Sequence, residues 1–434
     1  MIRNWHFGMR GKVAFLRHKI PPKKAPMIRH QVYFDTLGSL KEDSASWRAA
    51  FAGLSVLRLA DSYADAGISD AGGWAQIHNV RSAIEAVSEG DPIRGVLTNV
   101  LEELTRGAGI DESVCAALLA YGRALDYEAS WGLATDVFTT VAKLSRPEKN
   151  PKLAIEAQIA LGGAARRNGD WETSARAYSQ AVYVADAIGD CQGVLTVQVG
   201  IANTYLAKGN LPQAQSILDD VIVQSRDMRL DPVQGLALHS RSAIAYLRGE
   251  KAEGVKLGYE ALSLTKSPSD RDRIVADLAA GFSELGMREA ARDSYLLLLA
   301  TAQTKWVRWQ ATINLMELAS LDQVQDAFDS YAAELRKAPL GPWLRAHFLL
   351  LLGEGLERFG RFEVAEQVLA EAIDYSESNQ IYAVNFKAEA ALSAVRAKAV
   401  QPTASAPTFA QVPHEVLAAA HAISELRKAA TVSA

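Results

Sequence analysis

Cysteine is scarce in this chain, which has only Cys115 and Cys191 among its 434 residues. Each stands alone in a helical pattern. A disulfide framework is therefore excluded, and no Cys/His cluster has the spacing of a metal site. We interpret both cysteines as small, buried apolar side chains. The scarcity also fits a reducing environment, so the expected location is cytoplasmic, and no cofactor is expected.

Long apolar runs and alternating β-type runs are also missing. The longest apolar runs, such as 296–300 and 348–352, fall far short of the ~18 residues that a membrane helix needs. Val, Ile and Thr do not cluster into alternating stretches, so strands are not predicted. The charges nearly balance, with 46 basic and 50 acidic residues. This balance argues against nucleic-acid binding by overall charge, and no membrane partner is expected.

Catalytic motifs are absent as well. The sequence has no phosphate-binding G-x-x-x-x-G-K-[ST], no H-E-x-x-H and no G-x-S-x-G. His414 and His421 could share one helix face, but no third metal ligand stands nearby. Glu354 and Glu357 could pair as acid and base, although a solvated or ligand-facing acidic patch fits their pattern better. The chain is therefore predicted not to be an enzyme.

The first 34 residues carry basic side chains and no acidic side chain before Asp35. Three interpretations stay open: a basic arm for RNA, DNA or anionic lipid, an organelle presequence, or a mobile or mis-annotated leader with Met27 or another methionine as the true start. We favour the leader and assign it residues 1–43. The basic residues are Arg3, Arg10, Lys12, Arg17, Lys19, Lys23, Lys24 and Arg29.

What the sequence does contain is an internal repeat. The stretch GIANTYLAKGNLPQAQ at residues 200–215 has counterparts before and after it. Their turn glycines are separated by 40, 40, 37 and then 74 residues, the last being twice 37: Gly169, Gly209, Gly249, Gly286 and Gly360. One unit near 305–338 has lost its glycine, and Ala129 replaces it in the first clear unit. A fixed period of this length with two helical segments per unit predicts a helical solenoid.

Residue size recurs within the units when the turn glycine is numbered position 15. Small residues at positions 8 and 20 are predicted to lie where the first helix of a unit (helix A) crosses the second (helix B). Bulky residues at positions 17 and 24 fill the space around them. Position 8 is occupied by Gly122, Gly162, Ala202, Ser242, Ala279 and Gly353, and position 20 by Ala134, Ser174, Ala214, Gly254, Ala291 and Ala365. Position 17 is occupied by Trp131, Trp171, Leu211 and Phe362, and position 24 by Phe138, Tyr178, Leu218, Tyr295 and Leu369.

This pattern resembles the tetratricopeptide repeat superfamily over about residues 113–398. The 40-residue units are similar to the long-repeat variety found in Pins/LGN-type adaptors, MalT-type regulators and Rap-type peptide receptors. The resemblance implies an all-α, right-handed solenoid of about seven helix pairs at 113–399. Capping helices are expected at 44–112 and 414–434, the second after a Pro/Ala/Thr linker at 400–413.

The resemblance also implies that helix A lines a concave groove through positions 2, 5, 9, 12 and 13. This groove should be basic and aromatic in its N-terminal half and acidic at its far end. The predicted groove residues are Arg123, Asp126, Tyr127, Arg166, Arg167, Asn203, His239, Tyr246, Arg273, His347, Glu354, Glu357 and Arg358. The guanidinium groups of Arg166 and Arg167 are suited to bidentate binding of a carboxylate. The alternative is that both arginines lie on a solvent-exposed face and bind no ligand.

Asn203 is the one groove residue with a sharper family parallel. In the long-repeat variety, asparagine at position 9 holds the backbone of a bound peptide. The other units here lack it, so a backbone clamp along the whole groove is not expected. The predicted function is non-catalytic binding of a protein segment or peptide, with acidic groups, by a scaffold or adaptor. The alternative is a peptide- or effector-sensing regulator that acts through a separate partner.

Overall fold

The computed structural model describes residues 28–66, 70–89, 91–106, 109–128, 130–302, 305–340, 342–378, 381–397 and 412–432. This part of the chain forms twenty α-helices and no strand, which confirms the predicted all-α class. Residues 1–27 of the predicted leader lie outside the described residues, as does nearly all of the predicted linker. No helix in the described residues is long and apolar enough to cross a membrane.

The helices follow one another with short connections. The first four precede the predicted array: α1 (Gln31–Ser39), α2 (Ala45–Ala66), α3 (Asp70–Glu85) and α4 (Pro92–Arg106). The array contains α5 (Glu112–Tyr127), α6 (Trp131–Leu144), α7 (Pro151–Arg167), α8 (Trp171–Ile188), α9 (Cys191–Ala207), α10 (Leu211–Asp227), α11 (Asp231–Leu247), α12 (Lys251–Leu264), α13 (Pro268–Glu284) and α14 (Arg288–Thr301). It continues with α15 (Lys305–Leu321), α16 (Gln325–Lys337), α17 (Pro342–Arg358), α18 (Phe362–Ser378) and α19 (Tyr382–Arg396), and α20 (His414–Val432) ends the described chain.

Helices α5 to α18 form seven consecutive A/B pairs, and α19 follows them as a further helix A. Each helix A packs against its own helix B, and α5, α7, α9, α13, α15 and α17 also pack against the next helix A in the series. Large buried clusters run through consecutive pairs, one of them from α1 to α8 and another from α9 to α15. A core of this kind is built by stacking, because one pair alone cannot bury its apolar face.

Part of the predicted leader is folded. Helix α1 lies within residues 1–43, and it packs against α2 and α6. Tyr33 on α1 is fully buried, and its hydroxyl lies 2.9 Å from the hydroxyl of Tyr121. The ring of His30 is also buried, with Nδ1 2.6 Å from Asp136. The structure therefore differs from the expected mobile leader from residue 28 onward, because an aromatic side chain and a buried histidine anchor this segment.

The turn glycines have the backbone conformation that the repeat pattern predicts. All five adopt the left-handed conformation, with φ between 73° and 79°, which glycine tolerates because it has no Cβ. The unit that has lost its glycine keeps the same turn. Gln323 stands 37 residues after Gly286 and has a φ of 60°. A side chain with a Cβ is therefore held in a conformation that costs roughly 1–2 kcal/mol.

Replacing Gln323 with glycine is expected to raise the free energy of unfolding by about 0.5–1 kcal/mol. Glycine relieves the left-handed strain, although it adds conformational entropy to the unfolded chain and removes the Gln323 side-chain bond to the Ser320 carbonyl. Urea unfolding followed by circular dichroism measures the change. The matched variant is Gly360→Gln, which introduces the same side chain into an equivalent turn and should lower the unfolding midpoint. A lower midpoint for Gln323→Gly would contradict the strain argument.

The small residues at position 8 lie directly under the large residues at position 24. A Cβ added to Gly122 would come within 2.4 Å of the Phe138 ring, and one added to Gly162 within 2.6 Å of the Tyr178 ring. Ser174 at position 20 donates a hydrogen bond of 2.8 Å to the Gly162 carbonyl. Helices A and B can therefore cross closely because glycine has no side chain at position 8. Any larger residue there would displace the aromatic ring.

The two cysteines differ in environment, contrary to the interpretation of both as buried. Cys115 on α5 is buried, and burial raises its pKa to about 11. Cys191 is exposed because it is the first residue of α9, immediately after the capping residue Asp190. The periodicity of a helix does not decide the burial of its first residue, where the chain enters from solvent.

Helix α20 does not lie on the end of the array, where a capping helix was expected. It packs against α14 and α12, two B helices in the middle of the array. Val416, Ala419 and Ile423 are buried there in one cluster with residues of α12 and α14. The chain therefore returns past five helices before α20 docks, and position along the sequence gave no signal of this.

Candidate functional site

The inner face of the first five units is formed by their A helices. A cavity of about 800 Å³ opens between α5, α7, α9, α11 and α13, with Phe138 and Tyr178 contributing from α6 and α8. Because the A helices line this cavity, the B helices form the outer face. Seven of the predicted groove residues lie along its wall: Arg123, Asp126, Arg166, Arg167, Asn203, His239 and Arg273.

Several charges in the cavity are already paired between neighbouring units. Arg167 on α7 donates hydrogen bonds to both carboxylate oxygens of Asp126 on α5, with Nη2–O distances of 2.6 Å. Arg123 on α5 pairs with Glu156 on α7. Both arginines therefore hold adjacent repeats together. The sequence pattern predicts that Arg166 and Arg167 bind a ligand together. In the structure Arg167 is paired with Asp126, so Arg166 alone remains available to a ligand.

A third inter-repeat pair lies further along the cavity. The Nε2 atom of His239 on α11 lies 2.7 Å from a carboxylate oxygen of Asp277 on α13. Asp190 is also occupied, because its side chain accepts a hydrogen bond from the backbone amide of Gly193 at the start of α9. Most acidic groups of the cavity are therefore engaged in holding the protein's own structure.

Arg166 differs from the other cations of the cavity. It forms no ion pair with any described residue, and its Nε atom is buried without a hydrogen-bond acceptor. Burial lowers the pKa of the guanidinium, and the charge of Arg167 acts in the same direction, whereas a hydrogen bond to the Tyr178 hydroxyl opposes the shift. A buried donor without an acceptor costs free energy, so a carboxylate placed here would restore the missing interaction.

Two more cations of the cavity lack a carboxylate partner among the described residues, namely Lys152 and Arg273. Asp270 is the acidic group of the lining that has neither an ion pair nor a helix-capping bond in this part of the chain. The uncommitted charge is therefore mainly positive. Asn203 is also available to a ligand, because its side-chain amide makes no hydrogen bond to a described residue.

Arg273 closes the cavity by touching the first helix of the array. Its guanidinium carbon lies 5.3 Å from the ring centroid of Tyr127, a distance suited to a cation–π contact. Arg273 is on α13 and Tyr127 is at the end of α5, four units earlier. Burial raises the pKa of Tyr127, and Arg273 opposes this shift. The curvature of the array therefore brings α13 close to the C-terminal end of α5.

The recurring A/B pairs, left-handed turns and small-under-large packing identify the architecture. The chain has a tetratricopeptide-like fold. No family model matches the sequence, and no curated protein matches it. The assignment to the long-repeat variety stays a prediction.

Three solved structures are similar to this tetratricopeptide-like chain at low identity. NprR in complex with its cognate peptide NprX has 12% identity and a TM-score of 0.44, and the match covers 80% of this chain and 92% of NprR. A Rap protein complexed with competence and sporulation factor has 12% identity and a TM-score of 0.40, with 81% and 98% covered. PilF of Pseudomonas aeruginosa has 13% identity and a TM-score of 0.35, with 51% and 90% covered.

Five of the predicted groove residues lie away from the cavity, namely Tyr246, His347, Glu354, Glu357 and Arg358. The Tyr246 ring packs over Gly254 and Gly281, which lack the Cβ atoms that would exclude it, and burial raises its pKa. Glu354 and Arg358 on α17 pair with each other at 3.2 Å. His347, also on α17, lies beside the Trp343 ring, and burial lowers its pKa to about 4. The acidic far end of the predicted groove is therefore separate from the cavity.

The sequence pattern missed several cavity residues of this tetratricopeptide-like fold, chiefly Lys152, Glu156 and Asp277. A signal for the last two was present, because each stands about one repeat after a basic groove residue. Arg123 and Glu156 are 33 residues apart, and His239 and Asp277 are 38 apart. The described residues contain no group of three or more His, Cys, Asp or Glu side chains that could hold a metal ion.

Proposed function

We propose that this chain binds an extended protein segment bearing a carboxylate in its inner cavity, as a non-catalytic scaffold or adaptor. The observation that carries the proposal is the half-buried Arg166, whose Nε lacks an acceptor in a cavity of about 800 Å³. Ligand sites commonly measure about 300–1,000 Å³ and combine apolar walls with a few fixed polar groups. Ile159, Val199 and Leu236 provide apolar wall here.

Asn203 supplies the second polar contact of the proposed site. It stands on α9, between the helices that carry Arg166 and Arg273, and its amide has both a donor and an acceptor to offer. An extended peptide exposes backbone N–H and C=O groups that such an amide can bind. Since no other unit has asparagine at this position, we propose a single backbone contact beside the carboxylate contact.

Selection from a random peptide library tests the proposal. The full chain and an Ala243→Trp variant are used as baits, because Ala243 lies in the cavity wall and tryptophan there fills space without breaking an ion pair. We expect the wild type to enrich acidic peptides that the variant does not retain. Ala187→Trp, on the exposed face of α8, is the matched control and should enrich the same peptides as the wild type. Equal retention by the Ala243→Trp variant would contradict binding in the cavity.

One observation favours a second candidate, a sensor that changes shape when it binds. The Arg273–Tyr127 contact joins units that are distant along the array, so a ligand that makes or breaks it alters the curvature of the solenoid. Small-angle scattering separates the two candidates. A scaffold keeps its radius of gyration when a selected peptide is added, whereas a sensor compacts.

A further inference from the structure

Helix α20 occupies a groove on the outer face of the solenoid. The groove lies between α12 and α14, which are the B helices of successive units, and we call it the α12–α14 groove. The inner cavity is on the opposite side, since it is lined by the A helices. The groove is therefore a second surface, separate from the proposed peptide site.

The contact of α20 with this groove is compact and one-sided. Val416, Ala419 and Ile423 are at most 1% exposed, whereas Leu417 is 44% exposed on the same helix. Arg427 adds an ion pair, with its Nε 2.8 Å from a carboxylate oxygen of Asp293 on α14. The groove therefore recognises both an apolar stripe and a positive charge one turn beyond it.

The buried stripe has the residue spacing and size order of the B helices, although Phe362 at position 17 of α18 is 46% exposed and Val416 is 1% exposed. Val416, Ala419 and Ile423 have the spacing and size order of positions 17, 20 and 24, which are bulky, small and large. In α18 the same order is Phe362, Ala365 and Leu369. Helix α20 thus carries an apolar face with the residue pattern of a B helix, without belonging to a helix pair. The α12–α14 groove accepts this face although no turn of the array joins the two.

We propose that the α12–α14 groove is a docking site for a partner helix, and that α20 is an occupant supplied by the chain itself. The partner is an amphipathic helix with aliphatic, small and aliphatic residues at i, i+3 and i+7, and arginine at i+11. Charge complementarity to Asp293 sets the position of the arginine. Because α20 is tethered, it competes at an effective concentration of roughly millimolar order, so a partner must bind more tightly or α20 must be released.

A fluorescent peptide with the sequence of residues 412–432 is the probe. The full chain with Ile423→Asp releases α20, because a carboxylate cannot be buried in an apolar groove without a large cost. We expect the peptide to bind this variant with one-to-one stoichiometry, and to bind the wild type at least tenfold more weakly. The wild type is weaker because its own α20 fills the groove.

The controls use the two faces of the helix. Leu417→Asp on the exposed face should leave α20 docked, so that variant should bind the peptide as weakly as the wild type does. A peptide carrying Ile423→Asp should not bind any of the chains. Absence of peptide binding to the Ile423→Asp chain, or equal binding to that chain and the wild type, would overturn the proposal.

A charge exchange tests the same site without an apolar substitution. A chain with both Ile423→Asp and Asp293→Arg should bind a peptide with Arg427→Glu at least tenfold more tightly than the unaltered peptide, and the opposite preference would overturn the proposal. Sedimentation of the wild type without peptide tests a second copy as the occupant. A dimer that Ile423→Asp abolishes would assign the groove to self-association instead, and a monomer supports the proposal.

Discussion

Replacing Arg166 with glutamate is expected to reduce the affinity for a selected acidic peptide by about 30-fold or more. The substitution places a carboxylate where the ligand carboxylate would lie, in a half-buried site where charge pairs contribute on the order of 2–5 kcal/mol. Fluorescence anisotropy with a labelled peptide measures the change. Arg166 also interacts with the Tyr178 hydroxyl, so urea unfolding is measured in parallel and affinities are compared under conditions in which the variant is folded.

Two other arginines make this prediction specific. Arg167→Glu should lower the unfolding midpoint, because it leaves Asp126 beside a like charge and breaks a bond between α5 and α7. Arg176→Glu, on the exposed part of α8, should alter neither affinity nor stability. Equal affinities for Arg166→Glu and Arg176→Glu would show that the ligand carboxylate is not bound at Arg166.

Replacing Tyr178 with alanine is expected to lower the free energy of unfolding by about 3–5 kcal/mol. The ring is 4% exposed and lies between two glycines, since a Cβ on Gly162 or Gly200 would come within 2.6 Å or 2.5 Å of it. The two glycines have no side chains that could move into the cavity left by the alanine substitution. Most of the lost packing free energy is therefore not regained by relaxation. Urea unfolding monitored by circular dichroism gives the change.

Tyr183 provides the matched control for this substitution. It stands on the same helix as Tyr178, but it is 72% exposed. Tyr183→Ala should therefore change the free energy of unfolding by at most about 0.5 kcal/mol. Similar losses for the two variants would mean that the ring between the glycines does not carry the helix crossing. Tyr178 also lines the inner cavity, so peptide affinity should fall with Tyr178→Ala and not with Tyr183→Ala.

The sequence predicted most of the repeat architecture. The glycine period located five turns, and the left-handed conformation of Gln323 shows that even a unit without glycine keeps the same turn. The size pattern at positions 8 and 24 predicted the contact of Gly122 with Phe138 and of Gly162 with Tyr178. These features were predictable because each involves residues within one unit, at a spacing that the chain repeats.

The candidate site was predicted only in part. Seven of the predicted groove residues face one cavity, as the position of helix A implied. The pattern could not show that Arg167 is held by Asp126, or that Tyr246 is packed over two glycines. Both outcomes depend on a neighbouring unit or helix, whose side chains decide whether a residue at a groove position remains available to a ligand.

The sequence by itself determined the helix pairs, their turns and the small-under-large packing, because local spacing governs these contacts. Only the tertiary structure decided that Arg273 reaches Tyr127, that Arg166 lacks an acceptor, and that α20 docks on α12 and α14. Curvature accumulates over several units, and ion pairs form between units. Contacts of this range depend on the summed geometry of the whole array, which no single repeat encodes.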